Sequence, residues 1–542
     1  MTGPRLDGAE IDPITLNAWS IHMGKPFDDP GHVRERLGEG TLPQAFAHSA
    51  RRMGSKPALT LPDGKITHAE FDLFAGRMAR ELARLGAGPQ SPVLIGAETS
   101  LRSLIAYVGA LRTGSPVVLA NPTYTAAELA RLGDESGAVI AVGSGDHLQA
   151  LSEARLGTAE LIGLHGDDRS IASVVLDDLG GDPAPVVPVD PDSPALYAFT
   201  SATTGRAKCV PLSHRNLLAS IRGVMWAWRW TASDVVVHTL PIAHQHGLGA
   251  VHATLLAGSH AILLGRLDSI ELLATVESGE PTVLFGVPTM YRKLLDDLGQ
   301  RLHAFRRLRL MTCGSAHLSE ELAGRIAELV EVTPLERYGS TEAGLNVSNP
   351  YEGPRIAGTV GLPLPGIEVA IVDSEERRVG PGEVGEVLVR GPQVFAGYLG
   401  VPAADEPAFV FDWFRTGDIG LFEGESGYLR LVGRNRDVIV TGGLNVYPKE
   451  VEAALAAAPG VTDVAVIGMP SDRLGEEVTA FVVAPEESTR GILESAERSL
   501  APFKRPKRLI FVRMIPRNDM GKVNRDQLTK MGPIRPGSGP GI

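Results

Sequence analysis

From Leu42 to Leu335 short apolar runs alternate with amphipathic ones, and that rhythm leaves few folds open. Pro92–Gly96, Pro116–Ala120, Pro194–Phe199, Val235–Leu240, His260–Leu264, Thr282–Phe285 and Leu308–Thr312 are apolar almost throughout and read as strands. Leu42–Met53, Ala69–Leu85, Leu101–Arg112, Ser269–Glu277 and Glu320–Leu329 carry helical spacing. Strands without polar alternation are buried on both faces, so they belong to parallel sheets covered by helices. The pattern comes in two halves, which predicts two doubly wound layers with a crevice between them. Ligands of such sheets sit beyond the strand carboxyl ends.

After Gly358 the rhythm changes. Gly361–Gly366, Gly380–Gly382 and Gly385 punctuate the short strands Ile367–Val372 and Glu386–Val389, the pattern of a small all-β unit. Asp437 to Leu528 reads as a further α+β unit, with a helix at Pro448–Ala457 and strands at Val464–Ile467 and Val478–Val483. Polar Arg434–Asp437 marks a mobile junction between units that each bury a core. The expected fold class is α/β. An N-terminal domain, 1–435, is divided into two α/β subdomains (1–190 and 191–357) and a β subdomain (358–435). A mobile α+β domain follows at 436–530, then a Pro/Gly-rich disordered tail at 531–542.

At 542 residues the chain exceeds one ordinary domain. A formal charge of -12 argues against nucleic acid as the main partner. The two cysteines, Cys209 and Cys313, exclude a disulfide framework and a cysteine-based zinc site. No basic-plus-apolar leader and no membrane-length apolar run stand out, so a cytoplasmic enzyme is expected. Oligomeric state is not encoded in these patterns.

Thr200 to Cys209 gathers Thr200, Ser201, Thr203, Thr204, Gly205 and Lys208 into one loop after the Pro194–Phe199 strand and before a helix starting at His214. Hydroxyls, backbone N–H groups and a cation at a strand-to-helix turn make a phosphate cradle. Tyr338-Gly339-Ser340-Thr341-Glu342 sets a glycine, a hydroxyl and a carboxylate at another strand end, suited to a phosphate oxygen and Mg²⁺. Thr416-Gly417-Asp418 offers a carboxylate for ribose hydroxyls. Gly433-Arg434, Gly443–Glu450 and Pro516–Lys522 follow. Singly, each is as well explained by a polar turn or a solvated lysine.

Together, in this order, they resemble the adenylate-forming superfamily of acyl-CoA synthetases, peptide-synthetase adenylation domains and luciferases, from about Leu42 to Leu528. Leu240–Leu248 and Ser348–Glu352 resemble its malonyl-CoA synthetase branch most. The resemblance implies a ligase using ATP or acyl-AMP, Mg²⁺ and CoA. A carboxylate attacks the α-phosphate of ATP, giving acyl-AMP and pyrophosphate; the C-terminal domain rotates; the CoA thiolate then displaces AMP. By matching position, Thr200, Ser201, Thr203, Thr204, Gly205 and Lys208 face the β- and γ-phosphates. Thr341 binds the α-phosphate and Glu342 the magnesium. Gly314, Ser315, Ala316, Tyr338 and Gly339 enclose the adenine, and Asp418 and Arg434 hold the ribose. Lys522 bridges carboxylate and adenylate, Arg436 is the hinge, and Gly443 faces the CoA tunnel. His244, Gly247, Gly286 and Gly314 line the acyl pocket. The alternative for His244 is a hydrogen-bonded core histidine.

The phosphate loop departs from the family pattern: Ala202 and Cys209 stand where glycine is usual and Ala207 where proline is. Forcing a side chain into left-handed backbone angles costs about 1–2 kcal/mol, and about 1.4 kcal/mol is tenfold in rate. Two readings follow: the loop tolerates these residues and both steps run, as retained Lys208 and Lys522 favour, or adenylation is weakened or lost while thioester formation persists, with acyl-AMP supplied by a separate enzyme. A stand-alone adenylation domain loading a carrier protein and a non-catalytic acyl-adenylate binder are the rival classes. Ala243, Gly247, Gly249, Gly286 and Gly314 are small, so a bulky apolar acid of secondary metabolism is expected. Cys209 has no general base paired with it in any motif. Trp226, Trp228 and Trp230 are expected to pack at a helix end rather than form a ligand platform.

Overall fold

The computed structural model describes residues 6, 11–27, 29–154, 160–164, 172–173, 180–200, 208–316, 318–401, 408–441, 444–471, 474–517 and 521–531. Among them, nine strands form one sheet. In order these are Leu362–Pro363, Gly344–Ser348, Leu335–Ser340, Leu310–Cys313, Val283–Gly286, Val235–His238, His260–Leu263, Pro57–Leu61 and Gly64–Thr67. The pairs from Leu335–Ser340 through Pro57–Leu61 are parallel. A seven-stranded sheet runs Ala172–Ser173, Glu160–Gly163, Ile140–Gly143, Val93–Gly96, Val117–Leu119, Pro194–Thr200 and Lys208–Ser213. Its strands are parallel except for the last pair. The two expected layers are present, with helices such as Leu42–Met53, Leu101–Arg112 and Ser269–Glu277 at the predicted bounds.

Strand pairing corrects the expected division at residue 190. Pro57–Leu61 leaves the first half to pair with His260–Leu263, and Pro194–Thr200 leaves the second half to pair with Val117–Leu119. Each sheet therefore borrows an edge from the other half of the chain. A cut at 190/191 would unpair both borrowed edges.

The phosphate loop is also placed differently. Lys208–Ser213 is a strand antiparallel to Pro194–Thr200, so the loop closes a hairpin instead of leading into a helix. The helix His214–Ala227 begins six residues after Lys208, with its own cap: Ser213 accepts from Asn216 N–H, and Asn216 returns the bond. Cys209 pairs with Phe199 in extended backbone and is not among the residues with positive φ, so it carries no left-handed strain. Ser201, Ala202, Thr203, Thr204, Gly205 and Ala207 lie outside the described residues, as does the expected tail from 532.

The β unit pairs Glu368–Val372, Gly385–Arg390, Trp413–Glu423 and Tyr428–Arg434 antiparallel. The last unit joins Leu444–Val446, Ile439–Thr441, Gly475–Val483, Asp463–Ser471 and Arg508–Phe511 in one sheet. Its apolar core (Ile439, Val451, Leu455, Val478, Val482, Ile492) is separate from the main one.

Trp228 and Trp230 are buried and meet the Phe285 ring edge-on at 5.7 and 5.8 Å. They are core, as the packing reading expects. Beneath them Asp234 joins the starts of three neighbouring strands. It accepts from Arg309 Nε at 2.6 Å and Nη2 at 2.8 Å, from Thr282 Oγ1 at 2.8 Å and from Thr231 N–H at 2.8 Å. Removing one partner of a buried ion pair costs about 3–5 kcal/mol, because the other charge stays in low dielectric unmatched. Asp234→Ala is expected to lose that much stability in urea unfolding, with Arg309→Met alongside losing less because Asp234 keeps Thr231 and Thr282.

Candidate active site

The carboxyl end of the Leu335–Ser340 strand delivers Tyr338 to the crevice. Its hydroxyl donates to Asp418 Oδ2 at 2.6 Å. Asp418 pairs in register with Arg434 on the next strand, and Arg434 Nε lies 3.0 Å from Asp418 Oδ1. Gly417, at φ 68°, makes the turn that lets Thr416 Oγ1 accept from Asp418 N–H at 3.1 Å. Burial, then the Asp418 charge, pushes the Tyr338 phenol well up, so it stays a donor. The expected ribose pair, Asp418 and Arg434, is thus brought together with Tyr338.

Thr341 and Glu342 occupy the turn into Gly344–Ser348. Thr341 O accepts from Gln245 Nε2 at 2.8 Å, and Glu342 O accepts from Phe395 N–H at 2.8 Å. Tyr398 donates its hydroxyl to Glu342 Oε1 at 3.1 Å. The Lys208 ammonium lies 5.0 Å from the Tyr398 ring centroid. Thr200 and Lys208 are register partners at the loop end of the hairpin. Among the described residues no group of three or more His, Cys, Asp or Glu could hold a metal. Magnesium usually takes one or two carboxylates and completes its shell with phosphates and water, a demand that Glu342 alone fits.

On the acyl side, half-buried His244 precedes the helix Gln245–Ala257. Its neighbour His246, which the motif reading passed over, lies deeper in the site. His246 Nδ1 is 3.2 Å from Ser315 Oγ, and its ring is 5.5 Å from that of Phe285. Its Nε2 is enclosed without a hydrogen-bond partner. Burial, then the nearby Arg337 charge, holds His246 well below its ordinary range. Arg337 comes from the strand of Tyr338. Its Nε is also enclosed and unpartnered, and burial lowers the guanidinium to about 10.

The small residues do not leave the volume expected of them. A Cβ on Gly314 would lie 2.4 Å from the Arg337 guanidinium. One on Gly286 would meet Met290 and the Tyr291 ring, and one on Gly247 the Pro241 carbonyl at 2.5 Å. These glycines admit protein neighbours, so the argument for a bulky acid fails at its premise. Cys209 is 5% exposed and burial raises its thiol to about 12, which removes it as a nucleophile.

From the last unit, exposed Lys522 follows Gly521, whose Cβ position is 2.9 Å from Thr289 Cγ2 at the start of the helix Pro288–Leu298. The Lys522 loop thus rests beside the start of that helix. Arg292 of that helix donates to Thr462 O at 2.9 Å. Arg436 falls in the short turn Asn435–Asp437, its side chain outside the described ones, and Gly443 is outside the described residues. Lys449 was missed in the sequence. The helix Pro448–Ala456 brings it into the field of Asp418, Arg434 and Glu336, with burial depressing its ammonium below the ordinary value. Only tertiary folding supplies that signal. Glu336 is 6% exposed, and burial raises its carboxyl to about 8 against the Leu318 N–H and Lys449.

The AMP-binding enzyme family matches residues 46–399, and the AMP-binding enzyme C-terminal domain matches 450–522. Malonate–CoA ligase ACSF3, mitochondrial, of Bos taurus is 32% identical over 531 residues, covering 89% of this chain and 89% of that protein. Oxalate–CoA ligase of Arabidopsis thaliana is 32% identical over 502 residues, 90% of this chain and 97% of that protein. The crystal structure of ATP-bound MatB from Rhodopseudomonas palustris superposes with a TM-score of 0.83 at 36% identity, covering 90% of this chain and 98% of that one. No helix among the described residues is long and apolar enough to cross a membrane.

Glu336 yields a pH prediction. Its folded value, about 8, lies above the ordinary 4.5, so the folded state holds a proton that the unfolded chain gives up between those limits. Stability from this group is full below about pH 4.5 and declines as pH rises through 8, by up to about 1.4 kcal/mol per unit. Glu336→Gln is expected to flatten this part of the pH dependence, measured as the difference in melting temperature from wild type between pH 5.5 and 8.5.

Proposed function

This chain belongs to the AMP-binding enzyme family and is an acyl-CoA synthetase of the adenylate-forming kind; we propose that its acid is a short dicarboxylate, malonate first. The observation that carries this reading is Arg337, whose Nε is enclosed without a partner and whose charge reaches His246, itself left with Nε2 unpartnered. A buried cation without a partner is costly unless a ligand supplies the charge, and a guanidinium fork matches a carboxylate in two parallel bonds. Relatives named for malonate and oxalate support the same class. The second carboxylate of the acid is bound by Arg337, leaving the first free to react.

In the reaction the reacting carboxylate attacks the α-phosphate of ATP and pyrophosphate leaves. The CoA thiolate then attacks the acyl carbonyl and AMP leaves. Most of the catalysis here is positioning and charge neutralisation. Asp418, oriented by Tyr338 and Arg434, takes the ribose hydroxyls. Thr341 holds the α-phosphate, and Lys208 with the loop hydroxyls holds the β- and γ-phosphates. Lys522, on the loop beside Thr289, neutralises charge between carboxylate and phosphate. Magnesium at Glu342 would supply charge neutralisation on the phosphate oxygens. For the second step the C-terminal unit rotates about Arg436, exposing the Gly443 loop to CoA.

The loop substitutions set the balance between the steps. With Cys209 in extended backbone, only Ala202 and Ala207 are left to weaken the grip on the outer phosphates. Both steps run, and adenylation is the slower. Ala202→Gly is expected to raise malonate-dependent ATP–pyrophosphate exchange by about tenfold while thioester formation from preformed acyl-AMP keeps its rate. Consumption of acyl-AMP with no detectable exchange in either protein would make the chain a non-adenylating transferase.

Substrate class is read by thioester mass over a panel of mono- and dicarboxylic acids. Malonate is expected to outrun propionate and benzoate. Arg337→Met is expected to cut kcat/KM for malonate by a hundredfold or more, from about 3 kcal/mol of lost charge pairing, with little change for propionate. Equal losses for both acids would remove Arg337 from substrate recognition.

A further inference from the structure

We propose that Tyr398 is the positioning residue that locks the metal carboxylate Glu342 and the phosphate-loop lysine Lys208 into one constellation. The inference rests on the roles given above to Glu342 and Lys208. Tyr398 touches both: its hydroxyl donates to Glu342 Oε1 at 3.1 Å, and its ring stands 5.0 Å from the Lys208 ammonium. The short segment around it is stitched to the same two places by backbone. Phe395 N–H donates to Glu342 O at 2.8 Å, and Leu399 N–H donates to Cys209 O at 3.0 Å. Buried Phe395 braces the ring from behind at 4.9 Å. Glu342 belongs to the turn between Leu335–Ser340 and Gly344–Ser348 of the nine-stranded sheet and Lys208 to the seven-stranded sheet.

Each contact has a definite effect. An O–H donor on one carboxylate oxygen fixes the rotation of the group and leaves the second oxygen for a cation. A ring face under an ammonium confines it without removing its charge. Tyr398 therefore orders the two charges that meet the phosphate tail before ATP arrives. It has no comparable role once pyrophosphate has left, because neither group then has a phosphate tail to hold.

The test compares Tyr398→Phe and Tyr398→Leu with wild type and with Glu342→Gln, all as the full chain. Mg²⁺-dependent binding of α,β-methylene-ATP is followed by calorimetry, beside pyrophosphate exchange and thioester formation from preformed acyl-AMP. Tyr398→Phe keeps the ring, so it is expected to raise the Mg²⁺ half-saturation about fivefold with analogue affinity at saturating Mg²⁺ unchanged. Tyr398→Leu loses both contacts and is expected to weaken the analogue about threefold more at saturating Mg²⁺. Thioester formation from acyl-AMP is expected to move less than twofold in both. Wild-type Mg²⁺ dependence in Tyr398→Phe, with Glu342→Gln impaired, would overturn the positioning role alone. Unchanged Mg²⁺ dependence in Glu342→Gln would overturn the metal reading beneath it. Equal loss of both half-reactions with a lowered melting temperature would make Tyr398 a packing residue and also overturn the proposal.

Discussion

A single buried carboxylate, Asp418, stands where three units of the chain converge. Tyr338 reaches it from the nine-stranded sheet, Arg434 from the neighbouring strand of the β unit, and Lys449 of the last unit lies within its field. A charge in such a place persists only if every side supplies a donor or a cation. The arrangement therefore demands that the three units meet in register. It also fixes the orientation of the Asp418 acceptor.

The crevice has two chemically different ends. Toward Thr200, Lys208 and Glu342 it offers the groups the proposed phosphate site needs: hairpin backbone, a lysine and one carboxylate. Toward His246 and Arg337 it has polar atoms that the protein itself leaves unmatched. Unmatched buried donors cost more than matched ones contribute, so their persistence belongs with a ligand that completes them. The glycines along this wall were read as space for a large acid. In the folded chain their missing Cβ atoms make room for Arg337, Tyr291 and the Pro241 carbonyl. The charged groups that result suit the short dicarboxylate proposed above better than a bulky apolar acid.

Much of this was legible along the chain. Strands such as Val235–His238 and helices such as Leu101–Arg112 stand where apolar spacing puts them, because burial on both faces or on one stripe is a local demand on composition. Motif order located Tyr338, Asp418, Arg434 and Glu342. What failed was non-local. The hairpin strand Lys208–Ser213 mixes Lys, Cys, Pro and Ser with few apolar residues and shows no strand period; its pairing with Pro194–Thr200 makes it a strand. The exchange of edge strands between the two sheets has no sequence signature at all, since parallel pairing partners are chosen in space.

The sequence alone determined the alternating α/β architecture, the later β and α+β units, and the family to which the motifs belong, because periodicity and short fixed-order motifs are properties of neighbouring residues. Only the tertiary structure decided that Cys209 is unstrained, that His246 lies within the field of Arg337, and that Tyr398 spans Glu342 and Lys208. Those facts depend on which distant segments share a wall, and a side chain's electrostatic surroundings come into being only when that wall closes.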